Sequence, residues 1–303
     1  MRKAAIAIGS NSLRMLVADI HDHQIWRVCR DRMGMRMFAA LDQNRAISTE
    51  MIQTAVEHLS AFQKEAIALG ADEVSLYATS AVRDCTNQQA FADEILRHTG
   101  MNLEIITGEE EANLGYSGVV GDEKAGLIDI GGGSTEIIVG NHSQIEHSVS
   151  LQLGAVRLFQ QIPISSAADA LKAIDLCLEI ISRCQREFSE NEDRNWYGTG
   201  GTLTMASAFV QHISIEDRDK INGHVITADE IMNGICELAP MPMEKRLHLA
   251  YLRPQRADIA VHGLAILFAC MQALNLSGIC VDERGNLEGY LKKKYLTDEM
   301  NRR

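Results

Sequence analysis

Apolar positions in this chain come in two kinds of run. Short runs of alternating or continuous apolar residues, bounded by Gly, Ser, Asn and Asp, predict strands; apolar residues recurring every three or four predict helices. Residues 3–9, 12–20 and 24–32 read as a three-strand meander. Ser48-Thr49-Glu50 marks a helix start, and Ile52, Val56, Leu59 and Phe62 share one face of a helix running to Leu69. A strand over 74–78 is followed by Thr79-Ser80, which caps a short helix, and Asn87 caps another reaching His98. A short strand over 103–106 leads through Thr107-Gly108 into the acidic helix start Glu109-Glu110-Glu111. Beyond the polar turn Gly121-Asp122-Glu123-Lys124, a strand is predicted over 145–151 and helices over 155–161, 166–188, 201–211, 227–238 and 254–275. A last short strand ends at Val281, and a basic helix with Lys292-Lys293-Lys294 closes the chain.

The same sentence is written twice along this pattern. Ile6-Ala7-Ile8-Gly9-Ser10-Asn11-Ser12 and Ile128-Asp129-Ile130-Gly131-Gly132-Gly133-Ser134 both lead, after three residues, into an apolar residue and Val, at a constant offset of 129 − 7 = 122 residues. Each copy predicts strand, tight Gly/Ser turn and strand, a β-hairpin. A repeat of this length is a domain-scale duplication. The alternation of strands and helices points to α/β layers, with the domain join near 121–124.

Composition narrows the classes. A chain of 303 residues with 46% apolar content can fill two cores. A net charge of −12 argues against a general nucleic-acid binder, yet a few Arg and backbone N–H groups in a cleft still suit a polyanionic small substrate. Seven cysteines, an odd number without a C-x-x-C pair, suit reduced thiols in a cytoplasmic protein. No signal peptide is visible, and no apolar run approaches the ~20 residues that span a bilayer.

The chemistry-bearing residues gather at glycine turns. In Asp129 to Glu136 the backbone N–H groups of Gly131, Gly132 and Gly133, with the Ser134 and Thr135 hydroxyls, suit a phosphate nest. Asp129 suits Mg²⁺, which favours one or two carboxylates plus phosphate oxygens, and Glu136 is a second carboxylate. Gly198-Thr199-Gly200-Gly201-Thr202 is a third such turn, between a strand and a helix. Glu109, Glu110 and Glu111 read either as macrodipole complements on a solvated face or as the source of a general base. Arg83, one turn after a strand end, reads as a phosphate ligand or a surface residue. His21 and His23 read as a solvated turn, Cys177 and Cys184 as core packing, and the Met33, Met35, Met37 alternation as a strand face.

Together these residues resemble the exopolyphosphatase / guanosine pentaphosphate phosphohydrolase (Ppx/GppA) family. The resemblance is carried by Gly9-Ser10-Asn11-Ser12, Ala78 to Arg83, Thr107 to Ala112, Asp129 to Glu136, Leu153 to Leu158, the Gly198 to Thr202 loop, and Arg256-Ala257-Asp258 with Gly263 to Leu267. It implies an α/β fold of two ribonuclease-H-like domains of the actin-like ATPase and sugar-kinase superfamily, with the active site in the interdomain cleft. The domains would be 1–122 and 123–285, with a C-terminal helix over 286–303 packed on the first. By the resemblance Glu111 is the catalytic base, and Asp129 and Glu136 hold Mg²⁺ or Mn²⁺. Ser10, Asn11, Ser12, Arg83, Gly131 to Ser134, Gly200, Gly201 and Thr202 hold phosphate.

Two positions depart from that family's pattern. Ala7 stands where the family has Asp, as the repeat itself shows by aligning Ala7 with Asp129, and Leu287 stands where it has Arg. A clamp with one carboxylate hairpin implies weaker metal binding or turnover, which Ala7→Asp would raise. The leading expectation is metal-dependent release of orthophosphate from the end of inorganic polyphosphate. The alternatives are the same hydrolysis on guanosine pentaphosphate, a sugar or acetate kinase, or a regulator that binds polyphosphate or guanosine tetra- and pentaphosphate with little turnover. A homodimer is compatible with the resemblance; a membrane partner is not expected.

Overall fold

A computed structural model describes residues 1–22, 24–141, 144–185, 188 and 194–296. The chain divides into two compact units, Met1–Gly118 with the segment from Asn286 onward, and Val119–Gly285.

In the first unit β1 (Arg2–Ile8), β2 (Ser12–His21) and β3 (Gln24–Gly34) form an antiparallel meander. β4 (Glu73–Ala78) and β5 (Leu103–Ile105) join in parallel on the far side of β1, so the order is β3-β2-β1-β4-β5. Parallel neighbours require crossovers. Here these are α1 (Thr49–Ala68) before β4, then α2 (Ser80–Arg83) and α3 (Gln88–Thr99) before β5; α4 (Gly108–Val119) follows. The Ser48 hydroxyl caps α1 by accepting from the Met51 amide at 3.2 Å, and α1 buries Ala55, Leu59, Phe62 and Ala66.

The second unit repeats the plan. β6 (Ala125–Ile130), β7 (Thr135–Asn141) and β8 (Gln144–Leu151) form the meander, and β9 (Asn195–Thr199) lies parallel to β6. β10 (Val225–Thr227) adds an antiparallel edge to β11 (Gly278–Val281), giving the order β10-β11-β9-β6-β7-β8. α5 (Ala155–Gln161), α6 (Ala167–Ser182), α7 (Gly201–Val210), α8 (Arg218–Ile221), α9 (Ala228–Leu238), α10 (Met243–Arg246) and α11 (Ala260–Ala273) cover it. α11 is buried on nearly every face, which explains its continuous apolar sequence. α12 (Asn286–Leu291) then returns the chain to the first unit.

The duplication extends to fine detail. Gly9 N–H closes the first hairpin on Ser12 O at 3.1 Å, and Gly131 N–H closes the second on Ser134 O at 3.0 Å. β2 shifts register against β3 between Val17 and Ala18, and β7 against β8 between Val139 and Gly140, again 139 − 17 = 122 residues apart. An irregularity copied with its hairpin belongs to the design of the meander.

α12 sits tight on α4: a Cβ on Gly289 would overlap the Leu114 carbonyl. Tyr290, Leu291 and Tyr295 join Ala5, Ala7, Leu16, Tyr77 and Leu114 in one apolar cluster, with Tyr77 and Tyr290 stacked at 4.6 Å. Lys294 bonds Glu73 at 2.8 Å and the Ser75 hydroxyl at 2.7 Å. Residues 297–303 of the expected terminal helix lie outside the described residues.

Several expectations shift. Residues 254–275 are not one helix: Pro254–Arg256 is a 3₁₀ turn, Ile259 N–H bonds Arg256 O, and the α-helix starts at Ala260. β10 and α8 are too short for any periodicity to announce. β3 ends at Gly34, so Met35 and Met37 are not strand positions; they are buried, and Met35 and Arg36 donate their amides to Asn11 O. α6 ends at Ser182, so Cys184 lies just past it, although Cys177 and Cys184 both join the core. His21 is stacked on Trp26, while His23 lies outside the described residues. All seven cysteines are free thiols. Among the described residues no helix is long and apolar enough to cross a membrane.

At the start of α4 the Glu110 carboxylate accepts from the Thr107 amide at 2.9 Å, and the Thr107 hydroxyl accepts from the Glu110 amide at 3.1 Å, a reciprocal cap. The Thr107 amide, with Lys293 nearby, holds the Glu110 carboxyl below its usual range. Glu110→Ala is expected to cost about 0.5 kcal/mol at neutral pH. Because the folded carboxyl is depressed, this contribution is present above the unfolded carboxylate range and lost as pH falls through it. Urea midpoints at neutral and acid pH check this; a gap independent of pH would refute it. Gly289→Ala is expected to cost about 1–3 kcal/mol by overpacking α12 against α4. Equal urea midpoints for variant and wild type would show that α12 can move away freely.

Candidate active site

In the first unit the acidic run divides its labour by burial. Glu109 is exposed, Glu110 is spent on the helix cap, and Glu111 is buried at 7% exposure. Arg83 Nη1 donates to Glu111 Oε2 at 3.0 Å and to Ile106 O at 3.1 Å. Arg83 Nη2 is buried with no hydrogen-bond partner among the described residues. A buried guanidinium N–H left unmade costs about 1–3 kcal/mol, which an incoming oxyanion would recover. α2 carries Arg83 and is tied to the first turn, since the Ser10 and Ser80 hydroxyls share a hydrogen bond at 2.7 Å.

The first turn is clamped by the segment that follows β3. Met35 and Arg36 donate to Asn11 O, and Phe38 donates to Ser10 O. In the second unit the N-terminus of α5 does the same work: Ala155 donates to Gly131 O, and Val156 and Arg157 donate to Gly132 O. The approach requires Gly154, because a Cβ there would strike the Gly132–Gly133 peptide. With the turn carbonyls so consumed, the amides of Gly132 and Gly133 have no protein acceptor among the described residues. Adjacent amides of this kind form an anion nest.

Register places Asp129 directly opposite Glu136. Asp129 is 8% exposed and Glu136 2%, and the Ser150 hydroxyl donates to Glu136 Oε1 at 2.7 Å. Gly200, at φ 92°, brings the third turn against Asp129: a Cβ there would lie 2.7 Å from Asp129 Oδ1. Both the positive φ and the close approach call for glycine. Among the described residues no group of three or more His, Cys, Asp or Glu forms a metal cage. Two adjacent buried carboxylates beside an anion nest therefore fit Mg²⁺ or Mn²⁺ shared with phosphate oxygens, and not a closed structural metal site.

Other predicted site residues are placed less simply. Thr202 is buried with its side chain against Gly263. Thr135 is fully buried and donates its hydroxyl to Leu153 O at 2.5 Å, so it is not part of the nest. Asn11 and Ser12 are buried in the first turn, and the Ser12 hydroxyl accepts from Arg32 at 3.1 Å. The sequence reading assigned no site role to Arg14 or Arg256, which the structure places beside the first and third turns. Arg14 is the repeat partner of Glu136 (14 + 122 = 136), a signal present in the alignment of the two hairpins. Arg256 lies where a Cβ on Gly201 would be, at the start of α7.

The sequence model of the Ppx/GppA phosphatase family matches residues 16–298. The chain is 29% identical over 310 residues to exopolyphosphatase 2 of Mycobacterium tuberculosis, covering 95% of this chain and 97% of that protein. It is 27% identical to guanosine-5'-triphosphate,3'-diphosphate pyrophosphatase of Aeromonas salmonicida, covering 95% of this chain and 58% of that protein. Among solved structures, an exopolyphosphatase from Cytophaga hutchinsonii superposes with a TM-score of 0.87 at 23% identity, covering 99% of this chain and 98% of that one. The Aquifex aeolicus family member superposes at 0.83 with 22% identity, covering 98% of both chains. The two α/β units thus have the actin-like ATPase fold, and the chain belongs to the Ppx/GppA phosphatase family.

Proposed function

We propose that this chain hydrolyses the terminal phosphoanhydride bond of inorganic polyphosphate, releasing orthophosphate. The observation that carries the reading is the buried Arg83–Glu111 pair, in which one Arg83 amino group is left without a protein partner. Glu111 is the base that orients or deprotonates water for in-line attack on the terminal phosphorus. The ion pair pins its carboxylate at 3.0 Å from Nη1, so no side-chain ordering remains to be done at the moment of reaction. Arg83 Nη2 and the amides of the second turn hold phosphate oxygens, because phosphoryl transfer rests on positioning and electrostatics. Asp129 and Glu136 hold Mg²⁺ or Mn²⁺, which when bound neutralises charge on the phosphate.

Three tyrosines lie on elements that lead into the site, and each is buried or bonded within its own unit. Tyr77 is buried against Tyr290, Tyr116 is buried, and the Tyr197 hydroxyl donates to Glu123 at 2.9 Å. This favours an inorganic chain over guanosine pentaphosphate. The relative named for a guanosine substrate supplies the parallel assay.

Phosphate release from polyphosphate should fall by at least about 100-fold in Glu111→Gln, as expected for loss of a general base. Glu109→Gln, an exposed neighbour, should stay within about twofold. Near-wild-type release by Glu111→Gln would sink the assignment, and release confined to guanosine pentaphosphate would replace the substrate. EDTA should abolish turnover, and Asp129→Asn should raise the Mg²⁺ concentration needed for half-maximal rate by about tenfold or more. An unchanged Mg²⁺ dependence would move the cation away from Asp129.

A further inference from the structure

We propose that His262 is a positioning residue for the second glycine turn. By bonding the C-terminal end of α5 it fixes the helix whose N-terminus holds that turn, and with Gly263 it sets the second turn against the third. The proposal deepens the polyphosphate reading and rests on it for the identity of the anion.

A histidine inside α11 needs a reason. The helix is apolar over nearly its whole length, and His262 is 1% exposed. Burying an imidazole costs free energy unless its polar atoms are used. Nε2 lies 2.9 Å from the carbonyl oxygen of Ile162, the residue that ends α5, and the ring meets Phe159 of α5 edge to face at 5.2 Å. A carbonyl only accepts, so Nε2 carries the hydrogen and Nδ1 the lone pair. Burial, the strongest influence, holds the imidazole below the ordinary histidine range, so the ring is neutral at neutral pH. Ile162 O and Asp258 favour the proton, and Arg246 disfavours it. Nδ1 makes no hydrogen bond among the described residues, so the ring's one donated bond goes to α5.

The helix at the other end of that bond has only seven residues, about 10 Å of length, too short to be stable alone. Its N-terminus takes three successive carbonyls of the second turn. Ala155 N–H bonds Gly131 O, Val156 and Arg157 N–H bond Gly132 O, and Arg157 Nε bonds Gly133 O at 2.7 Å. A trans peptide is planar, so holding these three oxygens aims the N–H groups of Gly132, Gly133 and Ser134 the opposite way. Those amides are the anion nest. A shift of α5 along its axis would turn all three.

The next residue, Gly263, touches the third turn. A Cβ there would lie 2.6 Å from Thr202 Oγ1, and Thr202 stands in the first turn of α7, directly after Gly200 and Gly201. Gly200 in turn lies against Asp129. Two adjacent residues of α11 thus meet the helix that holds the second turn and the helix that leaves the third. α11 is buried on nearly every face, and a close-packed helix does not shift freely. The spacing of the two turns around Asp129 is set through it.

The test compares His262→Gln with His262→Asn. The Gln amide nitrogen reaches the place of Nε2 and can donate to Ile162 O; that of Asn stands near Nδ1 and falls short. The first readout is amide hydrogen exchange, which needs no substrate. Ala155, Val156 and Arg157 should exchange at least about tenfold faster in His262→Asn than in wild type, and within about threefold of wild type in His262→Gln, with β6 unchanged in both. The second is hydrolysis of tripolyphosphate in Mg²⁺. His262→Asn should lower kcat/KM by at least about fivefold, mainly through KM, and His262→Gln should recover most of it. Exchange at 155–157 that is the same in His262→Asn and wild type would overturn the proposal. Equal losses in the two variants would overturn it too, by making ring packing and not the hydrogen bond the cause. Nitrogen NMR shifts of wild-type His262 should show the Nε2–H tautomer; an Nδ1–H tautomer would refute the proposal even if neither variant folds. The exchange difference without phosphate release by wild type would defeat the polyphosphate reading alone.

Discussion

One backbone hydrogen bond, made twice, sets everything that follows. Gly9 N–H to Ser12 O closes the first hairpin, and Gly131 N–H to Ser134 O closes the second. The turn fixes the register of two strands, and a slip of a single residue would send every side chain to the other face. Through that register Asp129 faces Glu136, and Ala7 faces Arg14. The carboxylate pair in the second unit and the Ala7–Arg14 pair in the first are both consequences of where these two turns close.

The turns are held from behind as well. The segment 35–38 takes the carbonyls of Ser10 and Asn11, and the start of α5 takes those of Gly131 and Gly132. Two unrelated local structures, an irregular segment and a helix N-terminus, supply backbone donors to the two turns and coincide at one equivalent pair of carbonyls, Ser10 and Gly132. In the second turn the peptide dipoles are oriented by the fold before any ligand arrives, and preorganised dipoles of this sort stabilise charge without reorganising.

Around these turns, burial separates residues that look alike in the chain. Three consecutive glutamates have three fates: Glu109 meets solvent, Glu110 caps a helix, and Glu111 pairs with Arg83. A helix turns by about 100° per residue, so three neighbours cannot share one environment. Burial likewise commits Thr135, whose hydroxyl bonds Leu153, and Thr202, whose side chain lies against Gly263.

The sequence by itself determined the meander, its duplication and the two turns, because period-two alternation and glycine chemistry are local and the offset of 122 residues is exact along the chain. It also marked Asp129, Glu136 and Glu111 as candidates and singled out Ala7. Only the tertiary structure decided which glutamate is buried, that Arg83 reaches across 28 residues to Glu111, and that Ala7 and Leu287 share one apolar cluster. It alone set Arg32 opposite Arg14, through a register no local pattern announces. Pairing and burial depend on residues far apart in sequence. A charge is read in the chain as a residue type, but its chemistry is fixed by what faces it and by how much water remains.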